Sequence, residues 1–144
     1  MSDEASRVTG GCLCGAVRYE VTAPALFART CWCRLCQHIG AGGPTVNVGF
    51  SSEGLKIDGE IGDFASQADS GNHMHRRFCP KCGSHLFSTS EARPQFVVVR
   101  AGSLDDPEIG RPSMTIWTEA APTWACFDPD LPTLPAQPAP PPSR

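Results

Sequence analysis

Eight cysteines stand in this 144-residue chain, and seven of them fall into close groups: Cys12-x-Cys14, Cys31-x-Cys33-x-x-Cys36 and Cys79-x-x-Cys82. Only Cys126 stands alone. Thiolates one or two residues apart converge readily on a single metal ion, and this is how soft ligands for zinc are usually supplied. The same short spacings rarely allow a relaxed disulfide within a group. The chemistry these residues offer is metal ligation.

The strongest signal is Phe78-Cys79-Pro80-Lys81-Cys82-Gly83, which has the form of a zinc knuckle. Pro80 stiffens the turn between the two ligands, and Gly83 can take a positive φ that frees N–H groups to point at sulfur. A knuckle gives two ligands, whereas structural zinc takes four in a tetrahedron. Gly11-Cys12-Leu13-Cys14-Gly15 is the natural partner, another glycine-flanked pair. That pairing leaves Cys31, Cys33 and Cys36 as a second group. Three protein ligands and an open position describe a catalytic zinc. The alternative is an ordinary four-ligand site completed by Cys126 or a histidine. Cys126 sits among apolar neighbours in Trp124-Ala125-Cys126-Phe127, where the role of a small buried hydrophobe is expected.

The elements that must hold these groups read as short strands. Val17-Arg18-Tyr19-Glu20-Val21 and Val46-Asn47-Val48-Gly49-Phe50 alternate apolar with other residues, as strands do when their two faces differ. Phe96-Val97-Val98-Val99 is a continuous apolar run suited to the centre of a sheet. Leu86–Thr89 and Met114–Trp117 are shorter candidates, and Asp58-Gly59 and Asp105-Asp106-Pro107 supply turns. No stretch keeps a helical period for three turns. Fourteen glycines and fourteen prolines point the same way, to a mainly β domain.

That domain is expected over residues 7–128, followed by a Pro-rich tail at 129–144. Seven of the tail's sixteen residues are proline, and Pro129, Pro132, Pro135 and Pro138 recur at every third position. Such spacing lines up one edge of a polyproline II helix, but a disordered, solvated tail is the simpler expectation.

A net charge of −3 gives no footprint for nucleic acid. No apolar run reaches the ~18 residues of a membrane span. Residues 1–7 have neither the basic start nor the apolar stretch of a secretory leader. The expected setting is cytoplasmic, without nucleic acid or membrane.

Together, Gly10-Gly11-Cys12-Leu13-Cys14-Gly15-Ala16-Val17-Arg18-Tyr19, Cys31-Trp32-Cys33-Arg34-Leu35-Cys36 and Phe78-Cys79-Pro80-Lys81-Cys82-Gly83-Ser84 resemble the GFA family, the glutathione-dependent formaldehyde-activating enzymes and their relatives. Ala101–Asp106 and Ile116-Trp117 with Pro122 and Trp124 extend the resemblance. It implies a β-tent, antiparallel sheets pinned by a four-cysteine zinc. It also implies that Cys12, Cys14, Cys79 and Cys82 are that structural site and that Cys31, Cys33 and Cys36 hold a catalytic zinc, two ions in all. Two positions depart from the pattern: Ser113-Met114-Thr115 replaces a frequent histidine before Ile-Trp, and His85 follows Ser84.

Three thiolates leave Zn²⁺ with a net charge of −1, which acidifies a bound water less than histidine ligation does. An incoming thiolate suits such an ion better. The resemblance supplies one in glutathione, whose sulfur would add to formaldehyde. The expected function is a carbon–sulfur lyase acting on a small thiol–aldehyde adduct such as S-hydroxymethylglutathione. The competing reading is a non-enzymatic zinc-stabilised binding module or thiol and metal buffer. Glutathione is an anion, so Arg34 and Arg76-Arg77 are candidate cations. His38 is the candidate proton shuttle, His73 and His75 are further imidazoles, and Trp32 either walls the pocket or belongs to the core.

Overall fold

In the computed structural model, which describes residues 7–68 and 71–139, the chain builds ten strands and one short helix. The strands are β1 (Arg7–Gly11), β2 (Arg18–Thr22), β3 (Phe27–Cys31), β4 (Thr45–Ser51), β5 (Leu55–Asp58), β6 (Gly62–Gln67), β7 (His73–Phe78), β8 (His85–Ser90), β9 (Arg93–Arg100) and β10 (Thr115–Ile116). The helix, α1 (Arg34–Ile39), lies between β3 and β4. A three-stranded sheet runs β1-β2-β5, and a seven-stranded sheet runs β10-β3-β4-β9-β8-β7-β6. All pairs are antiparallel except β10 with β3. The mainly β class read from the sequence is the one observed, and β9 with its apolar run holds the centre of the large sheet.

Register divides the large sheet into two unlike faces, because side chains alternate along each strand. Val48 and Phe50 on β4, Val97 and Val99 on β9 and Phe87 on β8 are fully buried or nearly so. They pack with Val8, Val17, Tyr19 and Val21 of the small sheet into one apolar core that also takes in Cys12 and Cys79. The opposite face is polar. Cys31 pairs with Thr45, Arg29 with Asn47, Asn47 with Arg100, Val98 with Ser88, and Ser88 with Arg76. Every second residue on these strands therefore looks onto one shared surface. Gly49 is part of that surface for a steric reason. A Cβ there would stand 2.2 Å from the Phe27 ring, which lies across it and carries the Arg29 guanidinium 3.9 Å from its centroid.

The C-terminal segment departs from the expectation of a disordered tail over the part described. Thr115 N–H donates to Pro132 O at 3.0 Å, Leu134 N–H to Thr115 O at 2.9 Å, and Glu119 N–H to Pro135 O at 3.2 Å. Proline has lost its donor but keeps its acceptor, so a Pro-rich segment can still lie along a strand edge. Leu134 anchors it by packing on a second apolar cluster with Cys31, Cys33, Cys36 and Ile116. Residues 1–6, where no secretory leader is expected, and 140–144, the end of the Pro-rich tail, lie outside the described residues. No helix among the described residues is long and apolar enough to cross a membrane.

Candidate metal centres

All eight cysteines are free thiols. Two groups bring their sulfurs within 4.8 Å of one another, Cys12/Cys14/Cys79/Cys82 and Cys31/Cys33/Cys36. The partition is the one expected from spacing.

The first group joins the loop after β1 to the loop after β7. Cys12 and Cys14 sulfurs lie 3.7 Å apart, and Cys14 and Cys79 sulfurs 3.8 Å. A tetrahedron with metal–sulfur bonds of ~2.3 Å has edges of about 3.8 Å, so the donor set fits zinc. Backbone amides turn toward the sulfurs: Val17 N–H to Cys12 at 3.2 Å and Lys81 N–H to Cys79 at 3.3 Å. Gly83 takes φ +78, as a knuckle requires. The Ser84 hydroxyl accepts from Leu13 N–H at 3.0 Å and meets Cys82 Sγ at 3.2 Å, so it ties the two loops together. That hydroxyl, with the Ser84 amide, holds the Cys82 thiol down at about 5, where it is a thiolate at neutral pH.

The second group is built by the end of β3 and the start of α1. Cys33 is the helix N-cap, and its sulfur accepts from Cys36 N–H at 3.3 Å. The Cys-x-x-Cys spacing is thus also a capping spacing, which fixes both sulfurs on the first turn. Among the described residues no fourth His, Cys, Asp or Glu joins the three. Neighbouring thiols push the Cys31 thiol far up, while hydrogen bonds from Cys31 and Cys33, with Arg100 nearby, pull Cys36 far down. Three thiols this close cannot all ionise unless a cation shares their charge, and a soft divalent metal meets that need.

These cysteines lie at one end of a cavity of about 160 Å³ on the polar face of the large sheet. Its wall carries Arg29, Arg76, Arg93 and Arg100, one from each of β3 and β7 and two from β9. Arg76 and Arg100 are only 7% and 8% exposed, and each has an Nε with no partner. Arg76 donates to Ser66 Oγ at 2.8 Å and Arg100 to Asn47 Oδ1 at 2.5 Å. Burial of guanidinium donors without full pairing is costly, and an anion in the cavity relieves it.

Of the cations weighed from sequence, Arg76 reaches this cavity. Arg77 lines a different hollow with His75 and Glu91. Arg34 is exposed and donates to Gln37 Oε1 at 2.5 Å. His38, the candidate proton shuttle, is exposed on the last turn of α1 and is not part of the cavity wall. Neither does His73 or His75 line it. Trp32 is core, 4% exposed, with Trp124 and Phe127 edge-on at 6.3 and 6.2 Å between centroids. Cys126 corrects an expectation. It is exposed, as are its neighbours Trp124 and Phe127, which touch Trp32 only edge-on, so this apolar run lies on the surface and does not bury the thiol. Arg29, Arg93 and Arg100 escaped notice. The available signal was period two: Arg29 stands two residues before Cys31, on the same side of β3.

Comparison with known proteins gives a consistent result. The profile described as glutathione-dependent formaldehyde-activating enzyme matches residues 7–120. A Halomonas elongata protein named "Putative glutathione-dependent formaldehyde-activating enzyme" is 29% identical over 122 residues, 80% of this chain and 77% of that one. The crystal structure of a Rhodobacter sphaeroides protein shares the fold with a TM-score of 0.56 at 24% identity, covering 72% of this chain and 96% of that chain. With two cysteine groups placed as its spacing demands and a profile match over most of its length, the chain belongs to the glutathione-dependent formaldehyde-activating enzyme family.

Proposed function

We propose that the protein is a cytoplasmic, zinc-dependent carbon–sulfur lyase that forms or cleaves the adduct of glutathione with formaldehyde. The observation that supports this most is one cavity holding both a three-cysteine group and four arginines. In this reading Cys12, Cys14, Cys79 and Cys82 hold a structural zinc, and Cys31, Cys33 and Cys36 hold the catalytic one. Zinc bound by those three supplies an electrophilic position suited to a thiolate sulfur.

The chain's own residues do the rest. Cys33 and Cys36 are fixed by the helix cap, and Cys31 by its pairing with Thr45 across β3 and β4. Glutathione has two carboxylates, and planar guanidinium forks bind carboxylates bidentately, so the wall arginines orient the tripeptide. The reaction itself is simple: the sulfur–carbon bond forms, the carbonyl π bond breaks, and the thiol's proton ends on oxygen. Holding both reactants in one small cavity supplies proximity.

Because formaldehyde and thiols also combine unaided, the test compares proteins rather than protein with buffer. The parent should speed formation or breakdown of the adduct, and Cys33→Ser should not. Cobalt substitution adds an optical readout. Glutathione should strengthen the sulfur-to-metal band, and S-methylglutathione should not. Equal rates for the two proteins across several aldehydes would leave the zinc-stabilised binding module as the better reading.

A further inference from the structure

Two residues of the cavity's lining lie outside the family-matched region. Gln137 and Pro138 line it beside Trp117, whereas the profile match ends at residue 120. Trp117 Nε1 donates to Gln137 Oε1 at 2.9 Å. Trp117 itself has φ +61 and ψ +37, a left-handed conformation that is strained for a bulky residue. Strain of this kind persists where surrounding structure imposes it, often at ligand clamps.

The two halves of the segment are held unequally. Residues 132–135 make backbone hydrogen bonds to Thr115, Thr118 and Glu119, and Leu134 packs against the cysteine cluster. Beyond Ala136, the Trp117–Gln137 bond is the only hydrogen bond among the described residues, and Gln137 is exposed. An exposed side-chain hydrogen bond exchanges readily with water. Size supplies the other half of the argument. Pockets that enclose drug-sized ligands run to ~300–1,000 Å³. This cavity has about 160 Å³, which is small for a tripeptide.

We propose that Gln137 and Pro138 form a lid over the three-cysteine site, hinged at Ala136 and latched by Trp117, which selects thiols by size. Closed, it admits small molecules such as formaldehyde or a two-carbon thiol. It must lift before a tripeptide thiol reaches the cysteines. The substrate named here rests on the proposed function, but access to the cysteines does not.

The test therefore reads access rather than turnover. The zinc-loaded full chain is compared with a chain ending at Ala136 and with Gln137→Ala. Each is treated with iodoacetamide, which is small, or with fluorescein maleimide, which is bulky, and the labelled cysteines are identified by peptide mass. Both shortened and latch variants should label Cys31, Cys33 and Cys36 with the bulky reagent at least ~10-fold faster than the parent. Iodoacetamide rates should stay within about twofold. Cys79, fully buried in the other group, is the internal reference. A bulky-reagent rate equal to the parent's would overturn the lid. So would a matching rise at Cys79, which would mark general loosening. If the lid result holds while adduct chemistry fails, the lid stands and only the substrate reading falls.

Discussion

Arg100 and Asn47 face each other across β9 and β4, and the guanidinium donates to the amide oxygen at 2.5 Å while both residues are at most 8% exposed. The contact continues toward the three-cysteine group. Asn47 Nδ2 donates to Thr45 Oγ1 at 3.1 Å, and Thr45, after Cys31, Cys33 and Arg100, helps hold the Cys36 thiol below its ordinary pKa. Strand register thus runs from a buried cation through two neutral side chains toward the Cys36 sulfur. Were Cys31, Cys33 and Cys36 to hold a divalent ion as three thiolates, the positive charge of Arg100 would offset the net negative charge left there.

Arg100→Met should therefore weaken metal retention at Cys31, Cys33 and Cys36. Loss of such an outer contact typically costs about 10–100-fold in affinity. Arg100→Lys, which keeps the charge, should recover part of it. Competition with a chromophoric chelator reads the two sites separately, and the four-cysteine site should be unaltered. Equal retention in parent and Arg100→Met would break the proposed link.

The two cysteine groups should differ in what they hold together. Cys12 and Cys79 belong to the main apolar core, whereas Cys31, Cys33 and Cys36 sit in a smaller separate cluster. Zinc binding in small zinc domains contributes ~10–16 kcal/mol, against a typical total stability of ~5–15 kcal/mol. Cys79→Ser should be unfolded by circular dichroism. Cys31→Ser should remain folded and lose one of two metals. Identical melting and metal content in both variants would show the partition to be wrong.

A pH effect is expected from His75, whose two ring nitrogens meet Asp63 at 2.9 Å and Glu91 at 2.8 Å. Hydrogen bonds to Asp63 and then Glu91 raise its pKa above the ordinary value. A group with a raised folded pKa binds protons more tightly when folded, so its contribution favours the folded state at low pH. The contribution is complete below the unfolded value of about 6.5, provided the carboxylates stay ionised. It is lost as pH rises through the higher folded value. His75→Gln should lower the urea midpoint at pH 5.5 and leave it unchanged at pH 9. A constant difference between these pH values would rule out titration as the cause.

How much was legible beforehand followed from where apolar residues lie. β2, β4, β8, β9 and β10 present apolar residues to the core, and their alternation or apolar runs gave them away. β1, β3, β5 and β6 went unread as strands, and β7 was met only as a setting for His73 and His75. β1 and β5 do set Val8, Leu55 and Ile57 against the core but are only five and four residues long. On β3, β6 and β7, Arg29, Ser66 and Arg76 interrupt any apolar period. Helix α1 has six residues, too few to show a 3.6 period. The cysteine groups were readable because two or three cysteines share each short segment. The arginines were not, because Arg29, Arg76 and Arg100 come from three strands and meet only through pairing across the sheet. The C-terminal segment misled through its composition. Its contacts run through proline carbonyls and one leucine, which a count of prolines does not weigh.

The arginine wall makes the last prediction, which separates recognition from chemistry. Arg29 and Arg93 are half-buried at the cavity, whereas Arg76 and Arg100 are built into its floor. Replacing the first two is therefore the cleaner probe, since little of the fold rests on them. Hydrogen bonds to charged groups contribute ~1.5–3 kcal/mol each, so losing one carboxylate contact should cost roughly 10-fold or more. Arg29→Met and Arg93→Met should each raise KM for glutathione by about that factor, with kcat little changed, because the interaction is present before and during reaction. 2-Mercaptoethanol has no carboxylate and should react with the variants as with the parent. Added salt should weaken the parent's preference for glutathione and leave the variants less affected. If both thiols suffer equally, the arginines support the cavity's shape and do not read the tripeptide's charge.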